Sequence, residues 1–244
     1  MIRKEKEGIK WLEFEILQDF PEVKHAVFLK GFNFNFREKQ EGLGALEKNQ
    51  RKLLEILEIK QGIKLWQCHK SDIIEGIKED QEWVLRKDFD GVVTQERGLG
   101  LLVRHADCQA ALLYDPIQKA IGNIHCGWRG SVLNIYRETV LFMRSHYGSL
   151  PKNIRVCISP SLGPEAAEFI HFQKELPESF WKYQVKPAYF DFWEISKNQL
   201  IEEGVLEGNI EIARMCTFSN QKDCFSYRRD KLTGHHGTFI ALSN

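Results

Sequence analysis

Apolar and polar positions along this chain change their period repeatedly, from two in short runs to three or four in longer ones. The period-two and continuous apolar runs predict strands at Trp11–Leu17, His25–Leu29, Ile63–Cys68, Asp90–Thr94, Gly100–Arg104, Gln109–Tyr114, Lys119–His125, Ile154–Ile158, Glu211–Met215 and Gly237–Leu242. Phe32, Phe34 and Phe36 also alternate, which predicts a strand with one aromatic face. Helical spacing marks Glu47–Lys60, a long stretch from Trp128 to Tyr147 and Asp191–Glu203, with a short helix expected around Glu168. No repeat or low-complexity linker divides the chain, so the elements predict one α/β (α+β) domain over residues 1–244.

The two runs on either side of Asp115-Pro116-Ile117-Gln118 predict a β-hairpin, with Pro116 setting φ at the second position of a type I turn. A hairpin centred on the Pro116–Ile117 bond places Cys108 opposite His125, with Cβ atoms about 4.5–5.5 Å apart. A thiolate and an imidazole at that separation are suited to sharing a metal or to forming a Cys-His couple. After His125 the chain passes through Gly127-Trp128-Arg129-Gly130 into the long helical pattern. Helix-start amides with Arg129 beside them predict an anion site, phosphate being the natural guest. His69, at the end of its strand, is by itself only weak evidence for a ligand, and Arg228 and Arg229 read equally well as an anion cluster or a salt-bridged turn.

Composition narrows the partners. The 244 residues are 43% hydrophobic, enough for a sizeable core, and 34 Lys and Arg balance 34 Asp and Glu. That balance offers no basic field for nucleic acid or an anionic membrane and favours small metabolites. MIRKEKEGIK lacks the apolar core of a secretion signal, and no run approaches the about 18 apolar residues of a membrane helix, so a cytoplasmic protein is expected. Six cysteines without a CxxC motif are expected to stay reduced, Cys126, Cys157 and Cys216 as packing residues.

Gln67-Cys68-His69, His105-Ala106-Asp107-Cys108, His125-Cys126-Gly127-Trp128-Arg129-Gly130 and the late Phe225-Ser226-Tyr227-Arg228-Arg229-Asp230-Lys231-Leu232-Thr233-Gly234 together resemble the DUF152 family. Its members have been called multicopper polyphenol oxidoreductases, laccase-domain proteins and purine nucleoside phosphorylases. The resemblance runs from about residue 25 to the C-terminus. It implies a single-domain layered α/β/β/α sandwich, similar to the catalytic domain of cytotoxic necrotizing toxins. It also implies a zinc site, with copper as the alternative, held by His69, Cys108 and His125. The implied activities are phosphorolysis of adenosine, inosine and methylthioadenosine and hydrolytic deamination of adenosine, so the expected partners are a purine nucleoside and phosphate.

On that reading Asp107 or Glu168 moves a proton, Arg129 holds phosphate, and Tyr227 and Arg228 orient the substrate. The chain departs from the family where its cysteine-containing loop is Ser159–Phe169, where its TGR is Thr233-Gly234-His235, and where its early glycine-rich loop is the Phe-Asn run. Three other readings compete. Multicopper oxidase chemistry needs histidines paired as HxH, and this chain has eight histidines and no such pair. A Cys-His hydrolase or deamidase would use Cys108 and His125 directly. A non-catalytic zinc-binding module would close the metal with a fourth protein ligand.

Overall fold

The structure is a computed structural model that describes residues 1–31 and 43–244. The Phe32–Phe36 strand expected from the sequence lies outside the described residues. In chain order the sheet strands are β1 (Ile2–Lys6), β2 (Ile9–Glu13), β3 (Val23–Phe28), β4 (Gln61–Trp66), β5 (Ile73–Glu75), β6 (Trp83–Lys87), β7 (Gly91–Thr94), β8 (Leu99–His105), β9 (Gln109–Asp115), β10 (Ala120–Cys126), β11 (Arg155–Ile158), β12 (Ile210–Ile212) and β13 (His236–Leu242). The longer helices are α1 (Leu43–Leu57), α3 (Ile135–Tyr147) and α4 (Phe192–Glu202), and a five-residue helix, α2 (Trp128–Val132), precedes α3.

Two mixed sheets stack face to face. One runs β1-β2-β3-β13-β8-β4-β6 and the other β12-β11-β9-β10-β7-β5. The last strand of the chain is therefore central, antiparallel to both β3 and β8. Period-two alternation explains how β9 serves both faces of its sheet. Ala110, Leu112 and Tyr114 join the core between the sheets with Ile63, Leu101 and Ile240. Ala111 and Leu113 face the other way and pack with Ile135, Tyr136, Val140 and Met143 of α3. On the far side of the first sheet, Leu53, Leu54 and Leu57 of α1 cover Phe28, Leu102 and Phe239. The order of layers is helix, sheet, sheet, helix, which is the α/β/β/α sandwich expected above. Each fully buried Leu or Phe in these layers contributes about 1.5–3 kcal/mol. Among the described residues no helix is long and apolar enough to cross a membrane.

Asn123 of β10 stitches the two sheets across this core, donating to the carbonyls of Leu101 (2.9 Å) and Thr238 (2.8 Å). His125 follows two residues later on the same face, so it points into the inter-sheet space where the sandwich ends. Cys126 faces α3, as its position next to His125 required.

The structure corrects three expectations. The hairpin pairs Asp115 with Ala120 and His125 with Ala110, two positions out of the predicted register, so Cys108 is not opposite His125. The loop has four residues, because Asp115 Oδ1 accepts from the amides of Ile117 (2.8 Å) and Gln118 (3.2 Å) and Lys119 adopts a left-handed φ of 52°. The helix expected from Trp128 to Tyr147 breaks at Asn134, which is left-handed (φ 54°) and caps α3 by accepting from the Arg137 amide at 3.1 Å. Glu168 lies in no helix; it forms an isolated bridge with Tyr189.

Candidate metal centre and adjoining cavities

The ends of three strands meet at one edge of the sandwich: β4 leads to His69, β8 to the Ala106–Cys108 loop, and β10 ends with His125 and Cys126. The ligand-type atoms of His69, Cys108 and His125 all lie within 4.8 Å of one another. Cys108 still reaches His125 despite the shifted register, because it sits two residues before Ala110 and so on the diagonal from His125, within range of long side chains. The rings of His69 and His125 stand at 90° with centroids 4.7 Å apart. No side chain fills the space beside them, since residue 127 is Gly: a Cβ there would lie 3.1 Å from Cys108 Sγ and 3.2 Å from His69 Cδ2. Gly130 is similarly confined, its absent Cβ only 3.2 Å from the Lys70 carbonyl. Two imidazoles and a thiol with room left beside them suit a first-row metal ion, and this donor set fits zinc.

One residue that sequence reasoning missed organises the cluster. Asp90, fully buried just before β7, accepts from the amides of Cys68 (3.1 Å), His69 (3.0 Å) and Lys70 (2.8 Å), from the Cys68 thiol (3.1 Å) and from His125 Nδ1 (2.8 Å). Burial works against its charge, but the bonds from His125, the Lys70 amide and Cys68 hold the carboxyl well below the usual range. The available signal was an acidic residue heading the wholly apolar run Gly91-Val92-Val93, because a charge carried into a buried strand must find donors.

The titration of Cys108 and His125 is coupled. Burial opposes a thiolate at Cys108, yet His125 and His69 beside it outweigh that and lower the thiol below its ordinary value. His125 is raised against the effect of burial, chiefly by Cys108 and Asp90.

Two cavities open on the cluster. The first, about 560 Å³, is lined by the three clustered residues together with Trp66, Arg104 and His235 among others. The second, about 250 Å³, is walled by Trp128, Phe169 and Phe192 and by Arg228 and Lys231. Ala106, Cys108 and Tyr227 line both, so the cavities adjoin at the cysteine. Gln109 fixes the start of β9 beside it, accepting from Tyr136 and Ser196 hydroxyls (2.7 Å each) and donating to the Phe192 carbonyl (3.0 Å).

The other residues singled out from the sequence divide. Tyr227 and Arg228 do line the cavities. Asp107 lines the second, but both its oxygens are engaged, accepting from Thr217 Oγ1 and the Arg228 amide at 2.6 Å each, with its own φ at 82°. Glu168 lines neither cavity, although its neighbours Ala167 and Phe169 line the second. Its backbone bridges Tyr189, and its carbonyl accepts from Arg228 at 3.0 Å. Arg129 is exposed outside both cavities and lies over the Trp128 ring at 4.2 Å. The Arg228–Arg229 ambiguity resolves: Arg229 donates to the carbonyls of Thr217, Phe218 and Cys224 at 2.6–2.8 Å and pins the loop, leaving Arg228 to face the cavity wall.

Comparison with known proteins supplies the remaining context. The chain is 36% identical over 149 residues to a purine nucleoside phosphorylase of Bacteroides thetaiotaomicron, covering 57% of this chain and 55% of that protein. It is 30% identical over 165 residues to the purine nucleoside phosphorylase YlmD of Bacillus subtilis, covering 64% and 59%. These alignments span little more than half the length of either relative. The crystal structure of a hypothetical protein YfiH from Bacillus licheniformis superposes with a TM-score of 0.87 over 99% of both chains at 22% identity, which shows a shared fold. The model of the family described as multi-copper polyphenol oxidoreductase laccase matches residues 23–243, and the chain belongs to this laccase-domain, or DUF152, family.

Proposed function

We propose that this chain is a zinc-dependent purine nucleoside enzyme, which cleaves adenosine, inosine and methylthioadenosine with phosphate and deaminates adenosine. The observation that carries the reading is the position of His69, Cys108 and His125 in a cavity that also presents Gln67, Arg104 and His235, with Cys108 at its junction with an aromatic-walled one. A nucleoside has the same two-part character, a planar apolar base joined to a polar sugar. The purine nucleoside phosphorylase name carried by the relatives agrees with it.

His69, Cys108 and His125 would hold zinc, which supplies a Lewis acid at neutral pH. Trp128, Phe169 and Phe192 offer ring faces and edges to the base. Tyr227, shared by the two cavities, contacts the nucleoside where base joins sugar. Arg104, Arg228 and Lys231 line the cavities and attract phosphate, a role for which they are better placed than the exposed Arg129. Asp107 acts by holding Thr217 and the Arg228 amide, so that Tyr227 and Arg228 keep their places.

The test is direct. Purified protein is incubated with adenosine, with and without phosphate and before and after chelation, and adenine, inosine and hypoxanthine are separated. Phosphate-dependent adenine release, with inosine formation lost on chelation, is expected; no product under any condition would refute the proposal. A second reading has one observation behind it, the Cys108 thiol lowered beside His125, which is the pairing a Cys-His hydrolase uses. Deamination that persists at full rate in metal-free protein would favour that reading.

A further inference from the structure

Asp90 touches neither cavity, yet the atoms a metal would meet depend on it. We propose that Asp90 is the positioning residue of the centre: its carboxylate selects the nitrogen that His125 presents and holds the backbone turn that carries His69. The inference rests on the metal reading above and extends it to a residue that would never touch the ion.

Five donors converge on the one carboxylate, two on Oδ1 (the His69 amide and His125 Nδ1) and three on Oδ2 (the Cys68 and Lys70 amides and the Cys68 thiol). An ionised carboxylate only accepts, and it offers about four lone-pair sites, so its capacity is fully used. Because Oδ1 can only accept, His125 Nδ1 must carry the proton. In the neutral ring the lone pair is then on Nε2, the nitrogen left to face Cys108, so the carboxylate selects the tautomer that a metal would meet.

The same group holds the second ligand. His69 has a left-handed φ of 61°, a conformation that disfavours a residue with a bulky side chain. Three consecutive amides, from Cys68 to Lys70, curl around the carboxylate and keep it there, in the manner of an anion-binding nest. Main-chain bonds complete the arrangement. The His125 amide donates to the Asp90 carbonyl at 2.7 Å, and the amides of Asp90 and Gly91 donate to the Asp72 carbonyl at 3.1 and 3.2 Å. Asp90 precedes a strand of one sheet, and residues 68–70 follow a strand of the other, so a single buried charge sets the distance between two ligands from different layers.

Asp90→Asn preserves shape but replaces one acceptor oxygen with a donor NH2. Either orientation sets that NH2 against two or more N–H or S–H donors. In folded D90N, the zinc dissociation constant measured by chelator competition is expected to rise about 10- to 100-fold. The cobalt(II) absorption bands should shift as well, because the ligand geometry is altered. In the wild-type protein, 15N shifts of His125 should place the proton on Nδ1, both zinc-loaded and metal-free at a pH where the 15N spectrum itself shows the ring to be neutral.

Unchanged zinc affinity and cobalt spectrum in a folded D90N would overturn the assignment, and so would a wild-type His125 protonated on Nε2. If D90N does not fold, the wild-type tautomer decides. Wild-type protein that binds no zinc would defeat the metal reading, and the metal-free tautomer would still test Asp90.

Discussion

Gly127→Ala isolates the geometry of the cluster from the stability of the fold. Its φ of −74° and ψ of 173° suit any residue, so alanine adds no backbone strain. What it adds is one methyl group, 3.1 Å from Cys108 Sγ and 3.2 Å from His69 Cδ2. Comfortable non-bonded separations are about 3.5–4.0 Å, so both neighbours must move by several tenths of an ångström. In the metal-free protein the exposed His69 ring can turn aside at little cost. In the loaded protein the ring and the sulfur are tethered to the ion and the clash persists. Overpacking costs about 1–3 kcal/mol, and when it falls on the loaded state alone it weakens metal binding by about 5- to 150-fold. Zinc competition with a chelator measures the affinity, and thermal melting of metal-free protein should show little change. Wild-type zinc affinity in G127A would refute the reasoning, because the space beside Gly127 would then have no bearing on the metal.

Cys108→Ala removes the sulfur from the donor set, and bound zinc measured by metal analysis should fall below one-tenth of wild type; undiminished zinc would show that the ligands are elsewhere. Asp107→Asn breaks a carboxylate that accepts two 2.6 Å bonds, so unfolding in urea should report a loss of about 1–3 kcal/mol, and KM for nucleoside should rise more than kcat falls as the Tyr227–Arg228 loop loosens. Glu22 is lowered to about 2, first by its bond from Lys119 and then by that from the Tyr114 hydroxyl. A depressed carboxyl stabilises the fold above its unfolded value of 4.5 and loses that contribution as pH falls toward 2, so Glu22→Gln should flatten the acid limb of a stability-versus-pH curve between those values. An unchanged acid limb would contradict this.

The sequence by itself determined the kinds of element and most of the chemistry-bearing residues. Short, largely apolar runs specified β3, β8, β9, β11 and β13 to within a residue or two at their ends, because strands covered on both faces must be apolar nearly throughout. His69, Cys108 and His125 were legible as a set through motifs that resemble those of the family, since His69 at its strand end is weak evidence by itself and the hairpin register that paired Cys108 with His125 was two positions out. Local turn chemistry set the limit. Lys119 and Asn134 adopt left-handed conformations beside local side-chain-to-amide bonds that apolar periodicity does not record, and these two residues moved a hairpin register and split a helix. Only the tertiary structure decided that the last strand lies at the centre of a sheet, since strand order follows from long-range burial and not from the sequence of elements. It alone showed that Glu168 lines neither cavity while Tyr227 joins them. Asp90 marks the boundary most plainly. In the sequence it is one aspartate among many, and its meaning comes from donors 20 to 35 positions away that the two sheets bring to a single buried charge.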